Sequence, residues 1–240
     1  MFSKKSVQFV LLIFLSASII FTSVFYALYV AADSYQYVDV VRDTVNKKIT
    51  VIIDAGHGGE DAGAVSDSGI LEKEINFQIS EKIRDVLILL GINVKMTRTE
   101  DKLLYKPEEN IKGQRKACDL KNRYLITKEY ENAVFVSIHT NKFPNKKYGG
   151  FQVYYSKNNP KSKNIAFMVQ SLIHEKLQND NNRKIKEAGS SIYLLDRIEC
   201  PAILVECGFL SNDRDCKDLT DSKYTKKMAF LVANAILETI

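Results

Sequence analysis

Short apolar runs alternate along the chain with longer segments in which apolar residues recur at helical spacing. Strands are predicted at Lys48–Asp54, Asn93–Thr97, Val134–His139, Gln152–Tyr155 and Ala202–Glu206. Helices are predicted at Glu72–Leu90, Asp119–Tyr130, Ser162–Gln178 and Lys223–Ile240. Ile192–Leu195 is predicted to pair at a sheet edge. This alternation predicts one α/β domain, with a mostly parallel twisted sheet covered by helices on both faces.

The N-terminal part of the chain has a different character. Val7–Val30 contains no charged residue and is long enough to cross a hydrocarbon layer of about 30 Å as a helix. Lys4 and Lys5 precede this stretch and Asp33 follows it. The positive-inside rule therefore predicts a membrane segment with a cytoplasmic N-terminus and an extracytoplasmic C-terminal part.

The same stretch sets the expected domain organisation. Residues 1–32 are interpreted as a signal anchor or a signal peptide. The apolar run is longer than the roughly 7–15 residues of an ordinary signal peptide, which favours the anchor, although residues 30–32 could serve as a cleavage site. Residues 33–46 are interpreted as a polar linker, and residues 47–240 as the functional domain, either membrane-anchored or secreted.

Composition narrows the possible functions. The chain has 240 residues, of which 45% are hydrophobic and 26% charged, and this balance is typical of a globular protein and not of a disordered one. The net charge of +5 is small and no basic stripe is visible, so nucleic acid is not an expected partner. No C-x2-C spacing occurs, so a cysteine zinc site is not expected, whereas a disulfide outside the membrane is left open. The cysteines are Cys118, Cys200, Cys207 and Cys216.

Three chemically versatile side chains stand at or just after the ends of predicted strands. His57 follows the strand that ends at Asp54, His139 ends its own strand, and so does Glu206. Parallel sheets of this kind bind ligands beyond the carboxyl ends of their strands, so these side chains are expected at one rim. The remaining histidine of the chain, His174, lies within a predicted helix and is interpreted as a surface residue or as one with its hydrogen bonds satisfied.

These residues suggest a hydrolytic metal site. A catalytic zinc ion commonly takes two histidines and one carboxylate and keeps a position open for water. Glu72 begins the helix after the glycine-rich loop and can reach the rim, whereas Glu74 lies about 200° around the helix from it. An unligated carboxylate beside the ion would transfer the proton of the attacking water, and Glu206 is the candidate. Cys207 is expected to point into the packing, because consecutive strand residues face opposite ways.

Each of these residues alone also has an ordinary structural interpretation. A histidine after a strand is usually a hydrogen-bonded loop residue, and an acid in the first turn of a helix, such as Glu72, stabilises the helix dipole. Their combination, with glycines on both sides of His57, favours the metal site.

Four segments carry a resemblance to a known family. They read HGGEDAGA at residues 57–64, GILEKE at 69–74, SIHTN at 137–141 and PAILVECGFLSN at 201–212. The chain from Lys48 to Ile240 resembles the zinc-dependent N-acetylmuramoyl-L-alanine amidases, which place a proline where Ala62 stands.

This resemblance implies a set of roles and a biological setting. Zinc would be held by His57, Glu72 and His139, with Glu206 as the catalytic glutamate. The interval from His139 to Glu206 has room for one ordinary helix, and division-type relatives carry an additional occluding one. The chain is therefore most similar to the germination-specific type, which acts on spore-cortex peptidoglycan so that muramic δ-lactam can form, with a muramyl deacetylase acting next. A zinc peptidase that cuts within the stem peptide, or a non-catalytic wall-binding protein on the same fold, are the alternatives.

Overall fold

The computed structural model describes residues 16, 18, 20–26 and 49–240. Its internal contacts divide the chain into two units, Met1–Lys47 and Lys48–Ile240. The described residues of the first unit are helical, while the rest of the predicted membrane segment Val7–Val30 and the linker at 33–46 lie outside the described residues. Across the part of the chain that is described, no helix is both long and apolar enough to span a membrane.

The second unit is built on a six-stranded sheet. Its strands are β1 (Thr50–Ala55), β2 (Asn93–Met96), β3 (Ala133–Asn141), β4 (Gln152–Tyr155), β5 (Lys186–Glu187) and β6 (Ala202–Phe209). They are ordered β2-β1-β3-β6-β4-β5, and of the hydrogen-bonded pairs only β4 with β6 is antiparallel. The prediction of an α/β domain with a mostly parallel sheet is confirmed.

Helices cover both faces of this sheet. They are α1 (Glu72–Leu89), α2 (Arg115–Thr127), α3 (Lys161–Lys176), α4 (Tyr193–Arg197), α5 (Asp213–Thr220) and α6 (Ser222–Leu237). Strand β1 is buried on both faces of the sheet. Val51 and Ile53 pack in the core formed with α1, α3 and α6. Ile52 points the other way, into the core formed with α2 and α4. A parallel strand that is buried on both faces therefore has a nearly continuous apolar run, which in β1 is Val51–Ile53.

The structure corrects the prediction at Ile192–Leu195. The edge strand next to β4 is Lys186–Glu187, and residues Tyr193–Arg197 form α4 instead. Leu194 and Leu195 are both buried in the same core, which a helical turn allows and a strand that alternates between faces does not. The interval from His139 to Glu206 thus holds α4 as well as α3.

Other boundaries also differ from the prediction: β3 continues to Asn141 and β6 to Phe209, past the predicted ends at His139 and Glu206. Helix α2 begins at Arg115, four residues before the predicted start at Asp119. Helix α5 was not predicted, because it has few apolar residues and buries only Asp215 and Leu219. Its start is fixed locally by Asn212, whose side chain accepts a hydrogen bond from the backbone N–H of Asp215 at 3.0 Å.

A buried ion pair joins α2 to the carboxyl end of β1. Arg123 Nη1 lies 2.6 Å from Asp54 Oδ1, and Arg123 Nε lies 2.8 Å from Asp119 Oδ2. The remaining acceptors of this guanidinium are the backbone carbonyls of Ala55 and His57, both at 2.8 Å. Burial disfavours the ionised form of Asp54, but the charge of Arg123 and the hydrogen bonds from Ser137 and Arg123 together outweigh it and hold the pKa of that carboxyl below its usual range. Helix α2 therefore anchors the loop that follows β1.

This arrangement predicts that Arg123→Met lowers the free energy of unfolding by about 3–5 kcal/mol, because it leaves the Asp54 carboxylate buried without its cation. Urea unfolding followed by circular dichroism measures the change. The matched control is Arg84→Met, whose ion pair with Glu81 lies on the surface and should contribute less than about 1 kcal/mol. Equal small losses in both variants would contradict the anchoring role of Arg123.

Candidate metal centre and active site

The glycine-rich loop between β1 and α1 presents His57 in an unusual backbone conformation. His57 has a φ of 63°, in the left-handed region that residues other than glycine rarely occupy. Two contacts hold it there: Arg123 donates to its carbonyl oxygen at 2.8 Å, and its Nδ1 lies 2.9 Å from Asp61 Oδ2. With Nδ1 engaged by Asp61, the ring turns Nε2 toward the first turn of α1.

His57, Glu72 and His139 come together at the carboxyl end of the sheet. Oε1 of Glu72 lies 3.2 Å from His57 Nε2 and 3.0 Å from His139 Nδ1. One ligand atom from each of the three residues lies within 4.8 Å of the others. The two imidazole rings meet edge to face, with centroids 5.0 Å apart. The structure thus brings the three predicted metal ligands to one point.

Glu72 is held in place by the backbone around it. Its Oε2 accepts a hydrogen bond from the N–H of Ala64 at 2.7 Å, and its Oε1 accepts one from the N–H of Thr140 at 3.1 Å. Asn76 donates to Oε1 from the next turn of α1 at 3.2 Å. The carboxylate is therefore fixed between the glycine-rich loop and β3, and it is only 4% exposed.

Two glycines make this convergence sterically possible. A Cβ atom on Gly56 would lie 2.4 Å from Nε2 and Cε1 of the His139 ring. A Cβ atom on Gly63 would lie 2.6 Å from Oε2 of Glu72 and 2.7 Å from Cδ2 of His57. Any larger residue at either position would displace one of the three candidate ligands.

The electrostatics of the site favour a bound cation. Burial disfavours the charged forms, but hydrogen bonds to Asp61 and Glu72 outweigh it and raise the pKa of His57 to about 9. Burial likewise opposes ionisation of Glu72, yet His139 and His57 hold the pKa of Glu72 well below its usual range. The ionised carboxylate of Glu72 thus faces the position where the nitrogens of His57 and His139 converge.

The donor set fits a divalent transition metal. Two imidazole nitrogens and one carboxylate are standard ligands of zinc, and Asp61 supplies the carboxylate that such sites often place behind a ligating histidine. A metal ion held here would be bound by His57, Glu72 and His139.

Glu206 lies beside this cluster without joining it. It is the direct neighbour of His139 in the parallel pairing of β3 with β6. Its Oε2 is buried and has no hydrogen-bond partner among the described residues. Burial raises the pKa of Glu206 to about 7, and the nearby charge of Glu72 acts in the same direction. A carboxyl group with this pKa can both accept and release a proton near neutral pH.

The other singled-out residues behave as the sequence indicated. Cys207 is buried, with 1% of its surface exposed, and points away from the site as predicted. His174 is exposed, with its Nδ1 2.9 Å from the carbonyl oxygen of Asn181. All four cysteines are free, so the open question of a disulfide is answered against one in this structure.

The supporting residues of the site were not predicted. Arg123 and Asp54 lie under the loop that carries His57, and Asp61 orients the ring. Arg98 is buried and donates to the carbonyl oxygens of Ala55, Gly56, Lys73 and Glu100. An aspartate four residues after a candidate ligand was a usable signal for Asp61, whereas nothing in the local sequence distinguished the two arginines.

Together, the parallel sheet and the cluster of two histidines and one glutamate, with the carboxyl group of Glu206 beside it, define an α/β protein with a candidate metal centre at the carboxyl end of its sheet. Residues 51–238 match the model of the N-acetylmuramoyl-L-alanine amidase family, and the chain therefore belongs to this family. It is an amidase of peptidoglycan.

Several individual proteins are similar to this chain. The germination-specific N-acetylmuramoyl-L-alanine amidase of Bacillus subtilis is 35% identical over 189 residues, covering 78% of each chain. The CwlD amidase of Clostridioides difficile, solved in complex with the GerS lipoprotein, superposes with a TM-score of 0.75 at 40% identity, over 79% of this chain and 97% of that one. The amidase AmiC2 of Nostoc punctiforme has a TM-score of 0.68 at 29% identity, over 79% and 96%.

The close approach at Gly56 predicts that Gly56→Ala weakens binding of a divalent metal at least tenfold, because the new methyl group must push the His139 ring out of position. Titration against a chromophoric chelator measures the affinity. Gly189→Ala is the control, since its Cβ would meet nothing closer than Ser191 Oγ at 3.9 Å. Unchanged affinity in a folded Gly56→Ala protein would show that the His139 ring position is not needed for binding.

Proposed function

We propose that this protein is a zinc amidase that cleaves the bond between N-acetylmuramic acid and L-alanine in spore-cortex peptidoglycan. The observation that carries the proposal is the cluster of His57, Glu72 and His139 with Glu206 beside it. The spore-cortex setting is supported by the similarity to the germination-specific amidase of Bacillus subtilis. In that setting, removal of stem peptides allows muramic acid to become muramic δ-lactam.

In this proposal, each side chain of the site has a separate task. His57, Glu72 and His139 hold the zinc ion, with Asp61 and the backbone N–H groups of Ala64 and Thr140 fixing the ligands. When bound, zinc supplies a Lewis acid that polarises the scissile carbonyl and makes water acidic enough to react at neutral pH.

Glu206 carries the proton in this scheme. Its unpartnered Oε2 takes the proton of the attacking water and then delivers it to the nitrogen of the leaving alanine. A pKa of about 7 suits both halves of this exchange, because the same carboxyl group must be a base in the first step and an acid in the second.

The proposal also covers where the protein works. The N-terminal segment at Val7–Val30 would hold the catalytic domain on the outer side of a membrane, in reach of peptidoglycan. A muramyl deacetylase would act on the product, because lactam formation needs both a free lactyl carboxyl and a free amine.

Digestion of purified sacculi tests the reaction. We expect mass spectrometry to show intact stem peptides with a free N-terminal alanine, together with glycan that carries unsubstituted lactyl groups. Stem fragments with new internal ends would instead identify a peptidase, and binding without any released product would identify a wall-binding protein.

Variants measured in the same assay separate metal binding from proton transfer. Glu206→Gln should keep zinc and the melting temperature yet lose activity by roughly 100-fold or more, whereas His139→Ala should lose both zinc and activity. Glu74→Gln is the matched control: it removes an exposed acid two residues from Glu72 and should change neither quantity. A zinc-loaded, fully active Glu206→Gln protein would overturn the mechanism, and a zinc-free one would make Glu206 a ligand.

The membrane proposal is tested by cell fractionation and N-terminal sequencing of the mature protein. We expect the chain to sediment with membranes and to retain its original N-terminus, because the apolar segment is longer than a usual signal peptide. A mature chain that starts near Asp33 would identify a cleaved signal peptide. Recovery of the whole protein in the cytosol would refute both versions.

A further inference from the structure

Arg183 is a cation beside the candidate active site, and it forms no ion pair with any carboxylate of the described residues. Its Nε donates to the carbonyl oxygen of Gly149 at 2.8 Å, and its Nη1 donates to Oε1 of Gln152 at 2.7 Å. Its guanidinium lies 4.7 Å from the centre of the Phe209 ring. Within the described residues, no carboxylate forms an ion pair with Arg183, and its Nη2 makes no hydrogen bond.

The sheet register places this guanidinium next to Glu206. Gln152 is the antiparallel partner of Glu206 across β4 and β6, so their side chains lie on the same face of the sheet. Gln152 is buried, and its Nε2 donates to the carbonyl oxygen of Lys184 at 2.8 Å, which turns its Oε1 toward Arg183. Arg183 thus stands one side chain away from Glu206, on the side opposite His139.

A purely structural role does not account for Arg183. Arg98 is an example of an arginine with a structural role, because it is buried and each of its guanidinium nitrogens donates to a backbone carbonyl. Arg183 is partly exposed, and its side chain makes two hydrogen bonds to neutral groups, so no ion pair occupies it and it has unused donors. An arginine that is pre-oriented in this way is suited to bind a carboxylate.

The substrate offers one such group close to the scissile bond. In the proposed reaction, the carboxyl of N-acetylmuramic acid is itself the amide that is cleaved, and the alanine that follows has no ionised side chain. The second stem residue is a glutamate linked through its side-chain carboxyl, so its α-carboxylate is free. We infer that Arg183 binds this α-carboxylate and makes the enzyme selective for stems in which it is not amidated. This inference rests on the proposed amidase function.

The test compares glycan strands whose stems differ only at this group, with either D-glutamate or D-isoglutamine as the second residue. For the unmodified protein, we expect kcat/KM to be about tenfold higher with the free carboxylate, because a charge-assisted hydrogen bond is lost on amidation. In Arg183→Gln the ratio of the two kcat/KM values should fall to about one, and in Arg183→Lys it should lie between. Both substrates are measured on one preparation, so the ratio is independent of how much of the variant is folded.

Controls separate this inference from its alternatives. Lys163→Gln removes an exposed cation from α3, on the opposite side of the sheet, and should leave the ratio unchanged. An unchanged ratio in Arg183→Gln, or a ratio of one in the unmodified protein, would overturn the inference. Inhibition by stem-free glycan, the product of the reaction, is measured with the same variants. If Arg183→Gln abolishes this inhibition without changing the ratio, Arg183 binds the lactyl carboxylate of the product, and the inference is overturned. Absence of amide cleavage by the unmodified protein would instead refute the proposed function.

Discussion

The ion pair between Arg123 and Asp54 is the interaction on which the candidate site depends. A buried arginine is tolerated only when its charge and its donors are satisfied, and here two aspartates and two backbone carbonyls do so. One of those carbonyls belongs to His57. The guanidinium that pairs with Asp54 at the end of β1 therefore also holds the loop that follows this strand. The left-handed backbone of His57 persists because this contact and the Asp61 hydrogen bond both require it.

The parallel pairing of the central strands brings the other residues of the site next to His57. The carboxyl ends of β1, β3 and β6 lie side by side, so residues distant in sequence reach the same edge without long loops. Register then decides which atoms meet: His139 stands opposite Glu206, and Gln152 stands opposite Glu206 from the other side. Convergence of three ligand atoms within 4.8 Å leaves no room for side chains at Gly56 and Gly63.

The sequence predicted the parts of this arrangement that depend on strand ends. His57, His139 and Glu206 could be placed at one rim because buried strands are recognisable and their carboxyl ends are known to bind ligands. Arg123 could not be found in this way: its acidic partners are four and 69 positions away, and an aspartate four residues before an arginine looks like an ordinary surface pair on a helix. Helix α4 was missed because two adjacent leucines fit a short strand as well as a helical turn until their burial is known.

Two glutamates at the same rim acquire different properties from their surroundings. Glu72 accepts backbone hydrogen bonds and faces two imidazoles, which favour its ionised form and suit it to bind a cation. Glu206 is the neighbour of His139 in the pairing of β3 with β6, yet its Oε2 has no hydrogen-bond partner in the described part of the chain, and burial brings its pKa to about 7. Active sites commonly place two carboxyl groups in environments that give them different pKa values. One then stays ionised, and the other can gain and lose a proton near neutral pH. Hydrogen bonding and burial therefore support the proposed roles of Glu72 in metal binding and Glu206 in proton transfer.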